Sequence, residues 1–348
     1  MRRSSTTPSL SVVSQEEVLA PIATSPLLAL ASMMSDRARI ESAMRDAVVT
    51  PDSYLNEIAS HLIVAGGKRL RPVLAVAGAQ ILGSEASHDV VRGGVSCELV
   101  HLGSLYHDDV MDEADIRRGV ETVNAKWGNL QAILAGDFLL SRASEIAASL
   151  GTEVAGLLAR TIGWLCEGQI EELRHTYDAG RTESSYFASI RGKTASLYGT
   201  AARIGGIVAG HDRPMIESLT EYGDGYGMVF QIVDDILDIT ATDEQLGKPA
   251  GHDIVEGVYT LPVLLTLALG NSAADELDDL LGSPLDASQQ EKALAIVRSN
   301  VGLAAAVETA QGYVARAESA CDDFPDSEAT VALRAAPRAL LDSVSVHA

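Results

Sequence analysis

Apolar residues recur at intervals of three and four along most of the chain, as in Leu134, Phe138, Leu139 and again Leu157, Leu158, Ile162, Leu165. That spacing is the signature of a helix with one buried face, and alternating runs of period two are hard to find. Proline reinforces the reading. The chain has 11 prolines, yet none falls between Val73 and Arg213. Helix interiors exclude proline, so this stretch predicts several long helices joined at glycines such as Gly83, Gly128, Gly151 and Gly180. Residues 1–35 carry dense Ser, Thr and Pro without a sustained period, which predicts a disordered N-terminal segment. Glu16 and Glu17 precede the short apolar stretch Pro26 to Met34, an order unsuited to a signal peptide. From about Asn271 onward the chain carries charged amphipathic segments. The expected architecture is all-α: one helical domain over residues 36–348.

Composition narrows the function. Acidic residues outnumber basic ones 48 to 26, giving a net charge of −22. Such a chain lacks the basic face that nucleic acid requires. Hydrophobic residues at 47% supply a large core, and aromatics at only 4% favour helix over sheet. Three scattered cysteines, Cys97, Cys166 and Cys321, form no CxxC pair, which argues against a disulfide framework or structural zinc and fits the cytoplasm. No run of about 18 apolar residues occurs, so no membrane span is predicted.

The candidate chemistry is acidic. Three segments read Asp-Asp-x-x-Asp: Asp108-Asp109-Val-Met-Asp112, Asp234-Asp235-Ile-Leu-Asp238 and Asp322-Asp323-Phe-Pro-Asp326. The third holds a proline and reads as a solvated loop. The first two lie in proline-free apolar segments, where residues four apart share one helix face. Carboxylates so placed repel and call for a cation. Hard oxygen donors without neighbouring His or Cys suit Mg²⁺ that also binds phosphate. Basic groups stand close by in sequence: Gly66-Gly67-Lys68-Arg69-Leu70-Arg71-Pro72, Arg117-Arg118-Gly119, Lys193-Thr194 and Gly247-Lys248-Pro249. In a strongly acidic protein, cations gathered at Mg²⁺ motifs imply a polyanionic ligand such as a diphosphate.

With GGKRLRP, HLGSLYHDDVMDEADIRRG, the Gly168-Gln169 pair, KTASL from Lys193, FQIVDDILD and GKPAGHDIVEG in this order, the chain resembles the trans-isoprenyl diphosphate synthases, the polyprenyl synthetase family, from about Gly66 to Pro262. The resemblance implies a bundle of long helices around a deep central cavity, usually a homodimer. It implies Mg²⁺, three ions per site, and condensation of isopentenyl diphosphate with an allylic diphosphate, with membrane contact on product release. Carried over position by position, Asp108, Asp112 and Asp234 would be metal ligands, with Asp109, Asp235 and Asp238 supporting. Arg117, Lys193, Thr194, Gln231 and Lys248 would bind the allylic diphosphate. Lys68, Arg69, Arg71, His101 and Arg118 would hold isopentenyl diphosphate. Two positions depart from the pattern: Val258 stands where lysine is common, removing a phosphate contact, and Glu121 replaces a common proline, loosening that turn.

Gly103 and Ser104, one turn before Asp108, are small where short-chain members carry bulky residues. They are expected to face the cavity and let the product grow beyond geranylgeranyl, to about six to ten isoprene units as the resemblance implies; a geranylgeranyl or farnesyl synthase is the alternative. Three rivals compete. Glu98-x-x-His101 and Glu172-x-x-His175 have the spacing of a di-iron helical bundle, although Glu172 and His175 read more simply as a solvated face. A class I terpene cyclase shares the first acidic motif but has no use for GGKRLRP. A regulatory subunit tends to lose aspartates, and here none is lost.

Overall fold

The computed structural model of the chain describes residues 25–242 and 250–345. Among these the architecture is helical throughout, apart from a two-stranded hairpin, Ile116–Arg117 and Val120–Glu121. The helices are α1 (Met33–Ala47), α2 (Ser53–Val64), α3 (Leu70–Ala79), α4 (His88–Met111), α5 (Val123–Trp127), α6 (Asn129–Ser149), α7 (Thr152–Arg174), α8 (Glu183–Ile190), α9 (Ser196–Val208) and α10 (Arg213–Thr240). They continue with α11 (His252–Val255), α12 (Leu261–Leu267), α13 (Ser272–Asp278), α14 (Ala287–Arg298), α15 (Val301–Ser319) and α16 (Glu328–Ser345).

Their starts are written locally. Side chains of Asp52, Ser87, Thr122, Thr182 and Asp212 accept backbone N–H groups that open α2, α4, α5, α8 and α10. Helix α3 is buried at every position, so it forms the middle of the bundle rather than a face of it. Helix α4 packs on α3 and α6, and α9 packs on α3 and α10. Helix α10, at 28 residues, runs about 42 Å. One hydrophobic cluster extends from Leu27 to Val344, and no single helix among the described residues is long and apolar enough to cross a membrane.

Two expectations are corrected. The predicted disorder over residues 1–35 does not extend to its end: Pro26–Ala29 form a 3-10 turn, Leu27 and Met33 are fully buried, and the Ala31 N–H donates to Glu328 of α16. Residues 1–24 lie outside the described residues. The rule that proline avoids helix interiors fails at Pro337 in α16. Proline has no N–H for the carbonyl four residues earlier, and there the Tyr222 hydroxyl donates to the Leu333 carbonyl at 2.8 Å. A tertiary donor replaces the missing helical one.

Candidate active site

The two acidic motifs sit at the same kind of place, the C-terminal ends of long helices. Asp108 and Asp109 close α4, and Asp112 is its C-cap residue; Asp234, Asp235 and Asp238 occupy the last two turns of α10. Helix C-termini carry partial negative charge, so carboxylates there are held against the dipole. Burial is the largest influence on Asp108, Asp109 and Asp112, and raises all three above the ordinary range, Asp112 to about 6. Lys193 opposes that rise most at Asp108 and Asp112, and Arg117 at Asp109.

A tight hairpin turn aims two arginines. Ile116 pairs with Glu121 and Arg117 with Val120, leaving Arg118 and Gly119 as a two-residue loop with φ of 52° and 72°. Positive φ at both central positions is the geometry whose twist matches a hairpin, and glycine supplies the second at little cost. Arg117 thereby donates through Nε to Asp109 Oδ1, while Asp109 Oδ2 is buried without a hydrogen-bond partner. Arg118 reaches back to the carbonyls of Gly66 and Leu62, at 2.5 and 3.3 Å. Glu121 does not loosen this turn: it holds its register, and its carbonyl contacts His61 Nε2 at 2.7 Å.

Beside the hairpin lies the cationic corner made by the glycine-rich segment. Gly67 has no side chain where a Cβ would stand 2.9 Å from an Arg118 nitrogen and 3.0 Å from one of Arg69. The Arg71 guanidinium stacks over the Tyr198 ring at 4.6 Å, with its Nε buried and unpartnered. His101 is pushed well below the usual histidine range, first by burial and then by Arg71, Arg118, Arg117 and Arg69, so it stands as a neutral imidazole. Lys68 is lowered to about 8 by burial, with Asp234 opposing the shift. Arg71, His101 and Arg118 therefore share one region, whereas the charge that Lys68 feels is that of Asp234. Arg69 does not face it: its side chain is fully buried, donating to Glu41 at 2.7 Å, Glu98 at 3.4 Å and the Ile63 carbonyl at 2.8 Å. Its expected diphosphate contact is corrected to a structural ion pair, because its donors already serve the core.

The opposite wall is a hydrogen-bond chain. Thr194 donates to Gln231 at 2.8 Å, Gln231 donates to Asp235 Oδ1 at 2.9 Å, and the Tyr186 hydroxyl donates to Asp235 Oδ2 at 2.5 Å. Burial lifts Asp235 to about 7, against those hydrogen bonds. Asp238 Oδ2 accepts the Asp253 N–H at 3.3 Å. Lys193 and Thr194 lie on a π-helical turn, Arg191–Ala195, inserted between α8 and α9. Such turns re-aim side chains and recur at functional sites. It packs on α7 where a Cβ on Gly168 would fall 2.5 Å from the Lys193 nitrogen. Lys193 Nζ donates to Glu172 at 2.7 Å; burial lowers its pKa, but Glu172, Asp108 and Asp112 outweigh that and leave it raised. Lys248 lies outside the described residues.

Glu172 is thus a partner of Lys193 rather than a solvated position, and His175 pairs with Asp178 at 2.6 Å. Glu98 serves Arg69. The two ExxH pairs are engaged with separate neighbours, and no group of three or more His, Cys, Asp or Glu side chains among the described residues is placed to hold an ion by itself. A caged di-iron centre does not fit. Aspartates on two walls, one with a free buried oxygen, do fit divalent ions whose remaining ligands come from phosphate and water. Gly103 also departs from expectation. A Cβ there would stand 3.0 Å from the Gly136 carbonyl and 3.3 Å from Leu140 Cγ, so it is small for the close crossing of α4 and α6 rather than for the cavity. Ser104 is half-buried, its hydroxyl donating to the His101 carbonyl at 2.9 Å. Sequence reasoning missed Tyr186 and Arg181. The third acidic segment is a turn after α15, where Asp322 accepts Arg334 at 2.7 Å.

Comparison with known proteins agrees with this geometry. The family model described as Polyprenyl synthetase matches residues 52–299. The chain is 39% identical over 319 residues to the nonaprenyl diphosphate synthase of Mycobacterium tuberculosis, covering 91% of this chain and 94% of that protein. A solved decaprenyl diphosphate synthase from Rhodobacter capsulatus superposes with a TM-score of 0.83 at 30% identity, over 95% of this chain and 99% of the other. A polyprenyl synthase from Caulobacter crescentus, complexed with calcium and isoprenyl diphosphate, gives 0.84 at 32% identity, over 93% and 98% of the two chains. The protein belongs to the polyprenyl synthetase family and is a transferase.

Proposed function

We propose that the chain condenses isopentenyl diphosphate head-to-tail with an allylic diphosphate, giving an all-trans polyprenyl diphosphate longer than geranylgeranyl. The observation that carries the reading is two aspartate motifs on separate helices with a distinct cationic corner beside them, which is room for two diphosphates with different partners. Asp108, Asp112 and Asp234 would hold Mg²⁺, three ions per site, through carboxylate oxygens on both walls. Bound there, the metal would supply Lewis-acid stabilisation of negative charge on the departing diphosphate. Lys193, Arg117, Thr194 and Gln231 would grip the allylic diphosphate and meet the charge that develops as its C–O bond opens. Lys68, Arg71 and Arg118, with neutral His101 as a hydrogen-bond partner, would align isopentenyl diphosphate so that its double bond meets the allylic carbon. Loss of one proton from the adduct restores an allylic double bond, and diphosphate and that proton leave. The apolar helix faces beneath would keep water from the cationic carbon.

Product length rests on the small, half-buried Ser104 and on the nonaprenyl and decaprenyl names of the relatives. A homodimer is supported by apolar side chains left exposed on α6 and α7, among them Leu130 at 74%, Leu134 at 65% and Trp164 at 41%. A free exposed Cys166 suits a reducing cytoplasm, with the membrane touched on product release. The test is radiolabelled isopentenyl diphosphate with geranyl, farnesyl and geranylgeranyl primers and Mg²⁺, followed by product sizing. Labelled chains beyond geranylgeranyl are expected; volatile hydrocarbon from an allylic diphosphate alone would favour a cyclase and refute the reading.

A further inference from the structure

Position 258 is valine where the resemblance leads one to expect a lysine. In the structure a guanidinium from another loop is bonded to the backbone beside that position. Arg181, just before α8, donates through Nη1 to the carbonyl of Tyr259, the neighbour of Val258, at 3.3 Å. It is only 5% exposed, yet its Nε and Nη2 are buried with no hydrogen-bond partner. Its guanidinium carbon lies 5.7 Å from the centre of the Tyr186 ring, whose hydroxyl donates to Asp235. Burial disfavours its charge, and the carboxylates of Glu172, Asp235 and Glu171, with the Tyr186 phenol, favour it.

The loop that carries Arg181 is fastened to the segment that carries Val258. The Tyr177 N–H donates to the Gly257 carbonyl at 2.8 Å, and its hydroxyl donates to the Val255 carbonyl at 3.0 Å. Gly257 lies so close to the Tyr177 ring that a Cβ there would fall 2.5 Å away. The two loops act as one support that presents the guanidinium behind the second acidic motif.

A buried guanidinium with two unused donors costs stability. Removing it alone would leave the carboxylates of Asp235 and Glu172 without that cation, a cost of its own. We propose that Arg181 is a positioning residue that replaces the missing cation of position 258, offsetting the carboxylates of Asp235 and Glu172 so that the α10 wall accepts an allylic diphosphate. This rests on the reading of the site given above.

The test compares Arg181→Met, Val258→Lys and the double variant with the wild type. The readouts are thermal unfolding, calorimetric binding of magnesium pyrophosphate, and KM for each substrate. Arg181→Met should weaken pyrophosphate binding and raise the allylic KM, each by about tenfold, in a protein that still folds and with the isopentenyl KM within about twofold. Adding Val258→Lys should return both constants to within about threefold of wild type, because the charge is restored from the neighbouring backbone position. Unchanged pyrophosphate affinity and allylic KM in Arg181→Met would overturn the proposal. So would a loss that follows a lowered unfolding temperature and is not rescued by Val258→Lys, which marks a purely structural role. A wild-type chain that binds magnesium pyrophosphate but elongates no primer would instead refute the condensation reading, and pyrophosphate binding by the variants would still decide on Arg181.

Discussion

Replacing Ser104 by phenylalanine tests where the growing chain runs, and Gly103→Phe is its internal control. Ser104 lies four residues before Asp108, about 6 Å along the helix axis. It is half-buried, and its hydroxyl is satisfied locally by the His101 carbonyl. On the proposed reading a ring there would add bulk at the first level below the reacting carbon, and it removes one back-bonded hydroxyl, at a cost of no more than about 1 kcal/mol. The neighbouring position behaves differently. With the Gly136 carbonyl 3.0 Å from a Gly103 Cβ, a phenyl group must wedge α4 from α6, and overpacking of this kind costs about 1–3 kcal/mol or prevents folding. At about 2 °C per kcal/mol for a chain of this size, Gly103→Phe should lower Tm by about 2–6 °C where it folds at all. The assay is product sizing from a geranyl primer and labelled isopentenyl diphosphate, alongside calorimetric melting. Ser104→Phe should give farnesyl to geranylgeranyl lengths at near-wild-type Tm. Long products from Ser104→Phe at normal turnover would refute the cavity assignment. Short products from a Gly103→Phe protein of unaltered Tm would refute the packing one.

Asp108→Ala or Asp234→Ala should each lower kcat by at least about a hundredfold with helical content unchanged, and near-normal turnover in either would remove that residue from the metal site. Lys68→Ala should chiefly raise KM for isopentenyl diphosphate and Lys193→Ala that for the allylic substrate; steady-state kinetics showing the reverse split would exchange the two subsites. Arg69→Met leaves Glu41 and Glu98 without their cation and should cost about 3–5 kcal/mol in urea unfolding, whereas a stable variant with a raised isopentenyl KM would return Arg69 to the substrate. His101, held neutral by burial and four arginines, keeps its folded pKa below the unfolded value. The unfolded chain therefore binds the extra proton, and stability is lost as pH falls below about 6.5, by up to about 1.4 kcal/mol per pH unit. Urea midpoints between pH 6.5 and 5 should fall less steeply for His101→Gln than for wild type; parallel slopes would show that His101 is protonated in the folded protein.

Sequence reading reached the helices because proline and apolar spacing are local signals, and it reached both acidic motifs because their residues are contiguous. It failed where direction decides. Arg69 and Arg71 lie two residues apart in one cationic run, yet the left-handed backbone at Arg69, with φ of 53°, turns one inward to Glu98 while the other stacks on Tyr198. Gly103 and Ser104 are adjacent and equally small, but about 100° of helical rotation separates their faces. Glu172 looked like a solvated position because its partner, Lys193, lies 21 residues away on a π-helical turn that no periodicity predicts. Pro337 sits in a helix because Tyr222, 111 residues from the carbonyl it serves, supplies the missing donor.

These misses share a cause that bears on the chemistry. Both acidic motifs end long helices, where the dipole and burial each oppose ionised carboxylates. The fold meets that cost with cations carried on other elements: Arg117 from the hairpin for Asp109, Lys193 from the π turn beside Asp108, Asp112 and Glu172, and Arg181 from the loop before α8 near Asp235. Arg117 and Lys193 are legible in the motifs that carry them, but the carboxylate each one pairs with is set by a tertiary contact, and Arg181 is not legible at all. The same fixing serves the proposed reaction. Charges held in place before the substrate arrives need no reorganisation when negative charge shifts from carbon to diphosphate, and that is where such groups contribute most to rate. A site with its cations on flexible surface side chains would be easier to read from sequence and slower to react.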